Sequence, residues 1–465
     1  MSENKGLRLI LAYFLLAVYL IPAAPLKNPS QGMSVWATTV SLVERLSLDI
    51  SWAENLLDEK HVIKRSDGKI YAKQPPAAAF LAAPIYAIAR IFLGNANESN
   101  IFISWFILRL WLSTLPLLFL AYWLYKHDTD EISLGILLFA NPILVYSLLL
   151  STSVLAACLI YFAFRLVYDP QRIFLRYCLP AGFICGAALF CFPSSYLLII
   201  IIGIGIIFAE RQERLYSLSV FASGILPFVV FLLIYDYFFA GSLLYRFEWE
   251  SFGTFLYTQL ISPKHGLFFY TPILFFSLLL LLISHERRSL RHRMKTLIIL
   301  GSLFYFCLSK PSENFVLEEF VLLLPFLMDS FFDGELYDRS NLWLGAVFTV
   351  SLLFCLLPAL NFPFIPEGFK YPHNTLWPRL LLEQKVLATN LTALFGLKSN
   401  ILYILPVLTI VLFAFYQVLV SMRKPQRFFF GAVIGLIIAI SYLFLLNLDK
   451  PELRQQRSII AERYF

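Results

Sequence analysis

The stretch Pro76–Gly94, PAAAFLAAPIYAIARIFLG, decides how the rest of the chain is threaded through a membrane. A helix that crosses a bilayer needs about 20 predominantly apolar residues. This stretch is long enough, but it is rich in Ala, contains Pro76 and Pro84, and carries Arg90. We therefore interpret 76–94 as a juxtamembrane or re-entrant helix on the outer face. The alternative is that it crosses, and that one of two short hairpins elsewhere is really a single helix.

The composition shows that much of the chain faces lipid rather than water. The 465 residues are 59% hydrophobic, 17% aromatic and 14% charged, whereas soluble domains are about 25% charged. This excludes a soluble globular protein, a disordered chain and a nucleic-acid-binding domain. All six Cys lie in apolar runs, so neither a disulfide framework nor a structural zinc site is supported. The predicted fold is an all-α, polytopic transmembrane helical bundle.

About 13 crossings are predicted from apolar segments of suitable length. They lie at roughly 7–26, 101–125, 132–150, 152–168, 177–192, 194–209, 216–238, 267–284, 296–309, 317–332, 341–360, 401–421 and 428–446. Arg109 lies inside one of them and would be costly facing lipid, so we expect it to turn inward to a helix partner.

The positive-inside rule predicts which side of the membrane each loop occupies. Lys5 and Arg8 place the N-terminus in the cytoplasm, and the basic run 285–295 is also cytoplasmic only if 76–94 does not cross. The C-terminus is then outside. We predict one membrane domain, 1–465, in a bacterial inner membrane. Its large outer segments are loop one (27–100), 239–266, a capping loop (361–400) and a C-terminal tail (447–465).

Loop one is unusually long, because helices in bundles are normally joined by about 2–8 residues. Between Met33 and Leu48, the residues Trp36, Val40 and Val43 recur at helical spacing. This pattern predicts an amphipathic helix that lies flat in the membrane interface. The remainder of the loop is polar and returns to the membrane through Gly68–Pro76, GKIYAKQPP.

The stretch GKIYAKQPP at 68–76 is the first of three short motifs. The others are YDYFFAGS at 235–242 and ISPKHGLFFYTP at 261–272, and Asn141-Pro142 is a weaker feature. Together with the long first outer loop, they resemble the GT-C superfamily of polytopic glycosyltransferases. The resemblance is closest to bacterial dolichyl-phosphate-mannose-protein mannosyltransferase-like (family 39-like) members. It covers most of residues 1–280 in layout, rests on short motifs, and is weaker after residue 300.

The resemblance implies transfer of a sugar from a polyprenyl-phosphate donor to a lipid, glycan or protein acceptor at the outer face. A carboxylate would take the acceptor proton, and cations or a carboxylate-held divalent metal would neutralise the phosphate. In this family the base is an Asp or Glu soon after the first helix, and a second acid often lies in the next outer loop. This chain lacks both acids. Asn28, Ser30 and Gln31 stand where the first is expected, and Ser151-Thr152-Ser153 stand where the second is expected.

The remaining acids of loop one supply the candidate catalytic residues Asp58, Glu59 and Asp67. Asp67 precedes Gly68 and is equally well explained as a turn residue, and the other two as solvated loop charges. The candidate substrate-binding residues are Tyr71, Lys73, Arg246, Lys264, His265, Glu318 and Glu319. For Lys73 the alternative is an ordinary snorkelling lysine, and for Lys264 and His265 plain loop residues.

Three functions compete at this stage. The first is the glycosyltransferase, with the membrane lipids and the lipid-linked donor as its partners and no nucleic acid. The second is a catalytically degenerate GT-C-fold scaffold or lipid-binding subunit, because both expected acids are missing. The third is a lipid or solute transporter or flippase, which is disfavoured because the sequence has no internal repeat.

Overall fold

The computed structural model shows a helical bundle in which the described strands are very short. It describes residues 4–21, 31–57, 59–96, 100–127, 130–168, 174–208, 214–240, 257–283, 289–307, 318–329, 337–361, 364–365, 369–382, 389–390, 403–422, 424–445 and 451–464. The predicted all-α polytopic bundle is confirmed.

The helices follow one another along the whole chain. They are α1 (Lys5–Tyr19), α2 (Gln31–Arg45), α3 (Ala77–Leu93), α4 (Ile101–Lys126), α5 (Glu131–Phe139), α6 (Ile143–Ser147), α7 (Thr152–Tyr168), α8 (Phe174–Cys191), α9 (Tyr196–Phe208), α10 (Arg214–Tyr235), α11 (Leu267–Tyr270), α12 (Pro272–Ile283), α13 (Leu290–Phe306), α14 (Leu324–Met328), α15 (Tyr337–Leu360), α16 (Pro372–Thr375), α17 (Trp377–Leu382), α18 (Ile404–Ser421), α19 (Pro425–Leu445) and α20 (Pro451–Tyr464). The antiparallel strand pairs are β1 (Leu20–Ile21) with β4 (Thr389–Asn390), and β2 (Val62–Lys64) with β3 (Ile70–Ala72).

The exposed surface of the bundle is apolar. Among the described residues, five helices are long and apolar enough to cross a membrane: Ile101–Lys126, Arg214–Phe239, Asn341–Leu360, Ile404–Ser421 and Pro425–Leu443. The helix Arg214–Phe239 has a mean hydropathy of 2.4, yet only 17% of its most apolar window is buried. Such a surface requires lipid rather than water, so the chain is an integral membrane protein. The number and direction of the crossings stay predictions.

The Ala-rich stretch 76–94 is helical, as predicted, over α3. Gly94 adopts φ +75° directly after the helix, a conformation that glycine reaches without steric cost. Helix α3 packs against α2, which belongs to the same outer loop. The helix is thus confirmed, and its placement outside the membrane stays a prediction.

Three predicted crossings are interrupted, and one of them, 267–284, breaks at Thr271 between α11 and α12. The segment 132–150 is interrupted at Asn141-Pro142, and the Asn141 amide replaces the lost helical bonds. Its Nδ2 donates to the carbonyls of Ile136 (2.7 Å) and Leu137 (2.8 Å), while its Oδ1 accepts from the Ile143 N–H (2.8 Å). The segment 317–332 begins as a 3₁₀-helix, Glu318–Leu323, before α14. None of the three is one continuous helix, because hydropathy does not detect these local breaks. That each of them crosses the membrane stays a prediction.

Helix α2 packs against protein and not along a flat membrane surface. The predicted face is buried, with Trp36 0% and Val40 1% exposed, but the opposite face is buried as well, including Thr39 at 0%. The Trp36 indole N–H donates to Ser104 Oγ at 2.9 Å. The interfacial placement predicted for this helix is therefore corrected: α2 lies inside a second, smaller core that loop one forms with α4.

The bundle has two chemically distinct ends. Leu150 and Cys191, beside the hairpin turns 151–153 and 193–195, join the loop-one core. We call this the outer end, after its predicted location. The opposite end is called the inner end and contains Arg165. Arg165 lies about 20 Å from Ser151 along α7, at 1.5 Å per residue.

Candidate functional site

The carboxylates of loop one are engaged in holding the loop together. Glu44 Oε1 accepts from the Tyr86 hydroxyl (2.6 Å) and from the Ala96 N–H (2.8 Å), which ties α2 to α3. Asp49 Oδ1 accepts from the N–H groups of Ser51 (3.0 Å) and Ile70 (3.2 Å). Partial burial opposes ionisation of Asp49, but these hydrogen bonds outweigh it and lower the pKa of the carboxyl below its usual value.

Glu59 lines a cleft of about 160 Å³, and Lys64 is the one cation among the residues that line it. Lys64 Nζ contacts Glu54 Oε1 at 2.8 Å and Glu59 Oε1 at 3.0 Å. These two hydrogen bonds raise the pKa of the Lys64 ammonium. The Glu59 side chain is 84% exposed, so the cleft is open, and it is smaller than the about 300–1,000 Å³ of typical ligand pockets.

Asp67 occupies the turn between β2 and β3. Its Oδ1 accepts from the Lys69 N–H at 3.1 Å, and the next residue, Gly68, adopts φ +81°. This is the geometry of an Asx turn. The turn interpretation weighed in the sequence analysis describes what Asp67 does in this structure. Its catalytic role stays a prediction, as does that of Glu59. Asp58 and Arg246 lie outside the described residues.

The structure brings together two of the three motifs on which the resemblance rests. The Tyr235 hydroxyl donates to the carbonyl of Ala72 at 2.6 Å, and the rings of Tyr71 and Phe239 lie 5.0 Å apart. Tyr71 is buried, whereas the side chain of Lys73, two residues later, is exposed at the same edge. Lys73 is thus available to a ligand on the surface of the outer end.

The third motif forms a tight turn that is covered by the capping loop. Ser262 Oγ accepts from the N–H groups of Lys264 (3.2 Å) and His265 (3.3 Å). The Tyr270 hydroxyl donates to the Lys264 carbonyl at 2.8 Å. The Tyr270 ring in turn lies 4.5 Å from the ring of His373 in the capping loop. His265 itself is buried, at 5% exposed.

The longest described stretch of the capping loop, 369–382, is anchored by His373. This side chain is fully buried against Phe269, Tyr270, Phe354 and Trp377. Burial lowers the pKa of the imidazole to about 3, so it is neutral at physiological pH. The tail also reaches this loop, because buried Arg457 donates to the Thr375 carbonyl at 2.7 Å.

Two neighbouring carboxylates lie at the outer end, the buried Glu318 and the partly buried Glu319. Glu318 is 8% exposed, and its Oε1 accepts from Ser151 Oγ at 2.6 Å. Ser151 Oγ also lies 2.6 Å from Ser153 Oγ, and Ser153 bonds to the same carboxylate. Glu319 bonds to Ser194 in the next hairpin turn. The two acids therefore meet both short outer turns.

Sequence reasoning missed the role of Ser151 and Ser153. It recorded their turn as a place where an expected acid is absent. In the structure, this turn is where the carboxylate of Glu318 lies. The available signal was a run of three hydroxyl side chains, Ser151-Thr152-Ser153, in an otherwise apolar hairpin, because buried hydroxyls require polar partners.

A divalent metal is one way in which the phosphate could be neutralised. In the described ranges, no group of three or more His, Cys, Asp and Glu side chains is placed to hold a metal ion. Glu318 and Glu319 supply two carboxylates, which would hold a Mg²⁺ ion only together with a substrate phosphate and water. A divalent metal stays a prediction, and we assign no chemical step to it.

Comparison with solved structures shows that the bundle shares its overall fold with a known protein. A solved protein with a similar fold is ArnT from Cupriavidus metallidurans, in its apo crystal structure. The TM-score is 0.50 at 12% sequence identity, and the alignment covers 94% of this chain and 76% of ArnT. At this identity the similarity shows the fold alone. No family model matches the sequence, and no curated protein matches it.

Proposed function

We propose that the chain is a membrane glycosyltransferase that moves a sugar from a polyprenyl-phosphate donor to a lipid, glycan or protein acceptor. The observation that carries the proposal is the buried Glu318 carboxylate, held by Ser151 at the outer end. The GT-C fold supports the class of reaction. The family 39-like assignment, the bacterial inner membrane and the outer face as the site of transfer belong to the same proposal.

The proposed reaction needs one base and one or more cations. An acceptor hydroxyl attacks the anomeric carbon while the bond from that carbon to the phosphate oxygen breaks, and the carboxylate takes the hydroxyl proton. Glu318 is our first candidate for this base, and Glu59 and Asp58 remain candidates from loop one. Lys73 and Lys264 would neutralise the departing phosphate, because fixed cations stabilise the charge that develops on it.

A second function is favoured by a specific observation. The described acids of loop one take part in structural contacts. Glu44 accepts a hydrogen bond from Tyr86, and Glu59 forms an ion pair with Lys64. A catalytically degenerate scaffold with the same fold would look like this. The two proposals differ in whether a carboxylate at the outer end is needed for sugar transfer.

The test is complementation of a deletion strain, read as the mass-spectrometric profile of its glycans and lipids. Glu318→Gln keeps the size and hydrogen-bonding capacity of the side chain but removes the base, so transfer should fall by about 10²-fold or more. Glu452→Gln makes the same change on the exposed face of α20 and should leave transfer at the wild-type rate. Equal amounts of monodisperse protein control for folding.

The loop-one candidates complete the series as Glu59→Gln, Asp58→Asn and Asp67→Asn. Loss of transfer in one of these, with Glu318→Gln active, would move the base to loop one and retain the enzyme. Full transfer by all four variants would contradict catalysis by these carboxylates and support the scaffold.

A further inference from the structure

At the inner end of the bundle, three basic side chains gather around one buried carboxylate. Asp329 is 2% exposed, and its carboxylate faces three cations: Arg165 at 3.4 Å, Arg291 at 3.0 Å and Lys295 at 3.4 Å. Within this described cluster, the three cations outnumber the one carboxylate that they face, so the cluster makes this end of the bundle positive.

Helix α13 presents a different set of residues on its other side. Arg291 and Lys295 are one turn apart and face Asp329. Arg293 points away from them and is exposed, as are Leu297 (45%) and Leu300 (42%) on the same face. The positions i, i+4 and i+7 share one side of a helix, so a cation stands at the end of an apolar stripe.

A groove of about 450 Å³ runs along this stripe. Leu281 and Leu282 of α12 form one wall, and His292, Arg293, Thr296, Leu297 and Leu300 of α13 form the other. From Arg293 to Leu300 the groove extends for about 10 Å at 1.5 Å per residue. It therefore fits within one leaflet of a hydrocarbon core that is about 30 Å thick. No Asp or Glu is among these lining residues.

We propose that this groove binds an anionic phospholipid. The headgroup lies at Arg293 and His292, in the positive field of the Asp329 cluster, and one acyl chain lies along Leu297 and Leu300. Charge complementarity selects the occupant, because basic side chains at a membrane surface attract anionic lipids by about 1 kcal/mol each, or about fivefold in affinity. The site is at the opposite end from the proposed transferase site and does not depend on it.

The chain provides its own comparison groove. A second apolar groove, of about 440 Å³, lies between α9 and α10 and includes Ile204 and Ile200. Its lining residues carry no charge. Both grooves admit acyl chains, but the α12–α13 groove alone of these two has a cation at its end. Selectivity for the charge of the headgroup is therefore expected at the α12–α13 groove.

The test uses the full-length protein, delipidated in detergent and titrated with phosphatidylglycerol or phosphatidylcholine of identical acyl chains. Bound lipid is counted by native mass spectrometry. The wild type should bind phosphatidylglycerol more tightly, and Arg293→Gln should weaken this binding about fivefold. Arg427→Gln removes an exposed charge from the first turn of α19 and should leave binding unchanged.

A second pair of variants tests the groove itself. Leu297→Trp should fill the groove and release the anionic lipid, whereas Ile204→Trp fills the comparison groove and should not. Inorganic phosphate in excess should fail to displace the lipid, because it lacks the acyl chain. Equal binding of the two lipids, equal loss in both arginine variants, or retention by Leu297→Trp would each overturn the proposal.

Discussion

At the scale of single residues, Arg109 shows how this chain tolerates a buried charge. Its guanidinium is fully buried and donates to the carbonyls of Leu20 (2.8 Å), Leu148 (3.2 Å) and Ala17. Leu20 directly follows α1 and Leu148 directly follows α6. The last carbonyls of a helix lack intrahelical donors and carry the negative end of the helix dipole. Arg109 therefore caps two helices with one cation.

Removing this cation should destabilise the bundle. Arg109→Gln shortens the side chain and leaves buried carbonyls without a donor, at a cost of about 1–3 kcal/mol for each. We expect a lower melting temperature in detergent, while Arg427→Gln, on the surface, should melt like the wild type. Unchanged melting of Arg109→Gln would show that these bonds add nothing to stability.

The sequence was sufficient to predict that Arg109 turns inward, because an intramembrane cation facing lipid is costly. Its hydrogen-bond partners could not be predicted from the sequence, since Leu20 lies 89 positions away along the chain. The same holds for Glu318, whose partner Ser151 lies 167 positions away. Composition and spacing identify which polar groups need a partner, but the tertiary fold determines which groups meet.

At the scale of elements, helices α15 and α19 pack with their backbones in close approach. Gly431 and Gly435 form a G-x-x-x-G pattern in α19, and Gly345 faces them from α15. A Cβ atom at Gly431 would collide with the carbonyl oxygen of Leu342, and one at Gly345 with that of Phe428. Small residues are what allow membrane helices to approach this closely.

Adding one methyl group at this contact should separate the two helices. Gly431→Ala forces Leu342 and its helix to move, at a cost of about 1–3 kcal/mol, and the melting temperature should fall. Gly203→Ala is the matched control, because the nearest atoms to a Cβ there are 3.7 Å away. A stable Gly431→Ala variant would contradict the close approach of α15 and α19.

Hydropathy predicted most of the long helices to within a few residues, including α7 and α15. It failed where a crossing is built from pieces, as at Asn141-Pro142 and at Glu318–Leu323. It also placed α2 in the membrane interface, although the opposite face of that helix is buried too. An amphipathic pattern shows that one face is apolar, but not whether lipid or protein covers it.

At the scale of the whole molecule, the two ends can be assigned to sides of the membrane by labelling. All six cysteines are buried, so an introduced cysteine can be probed in the native chain. Ser289, at the start of α13, and Ser66, in the β2–β3 turn, are both exposed. We expect Ser66→Cys to react with a membrane-impermeant maleimide from outside, and Ser289→Cys to react only after the cells are opened.

The wild type, with its buried thiols, is the unlabelled control for both variants. Reaction of Ser289→Cys from outside would overturn the non-crossing interpretation of 76–94. The predicted direction would then be reversed for every segment that follows, and the Asp329 cluster would face outward.

The short pairing of β1 with β4 joins distant parts of the chain: Leu20 lies opposite Asn390 and Ile21 opposite Thr389. A chain is synthesised from its N-terminus, and its parts fold in that order. The end of α1 is therefore made early, and its partner strand leaves the ribosome only late. A chain that stops before Thr389 would have α1 in place but no strand to pair with its outer end. Synthesis of residues 389–390, and not insertion of the first helix, is thus the event that allows this strand pair to form.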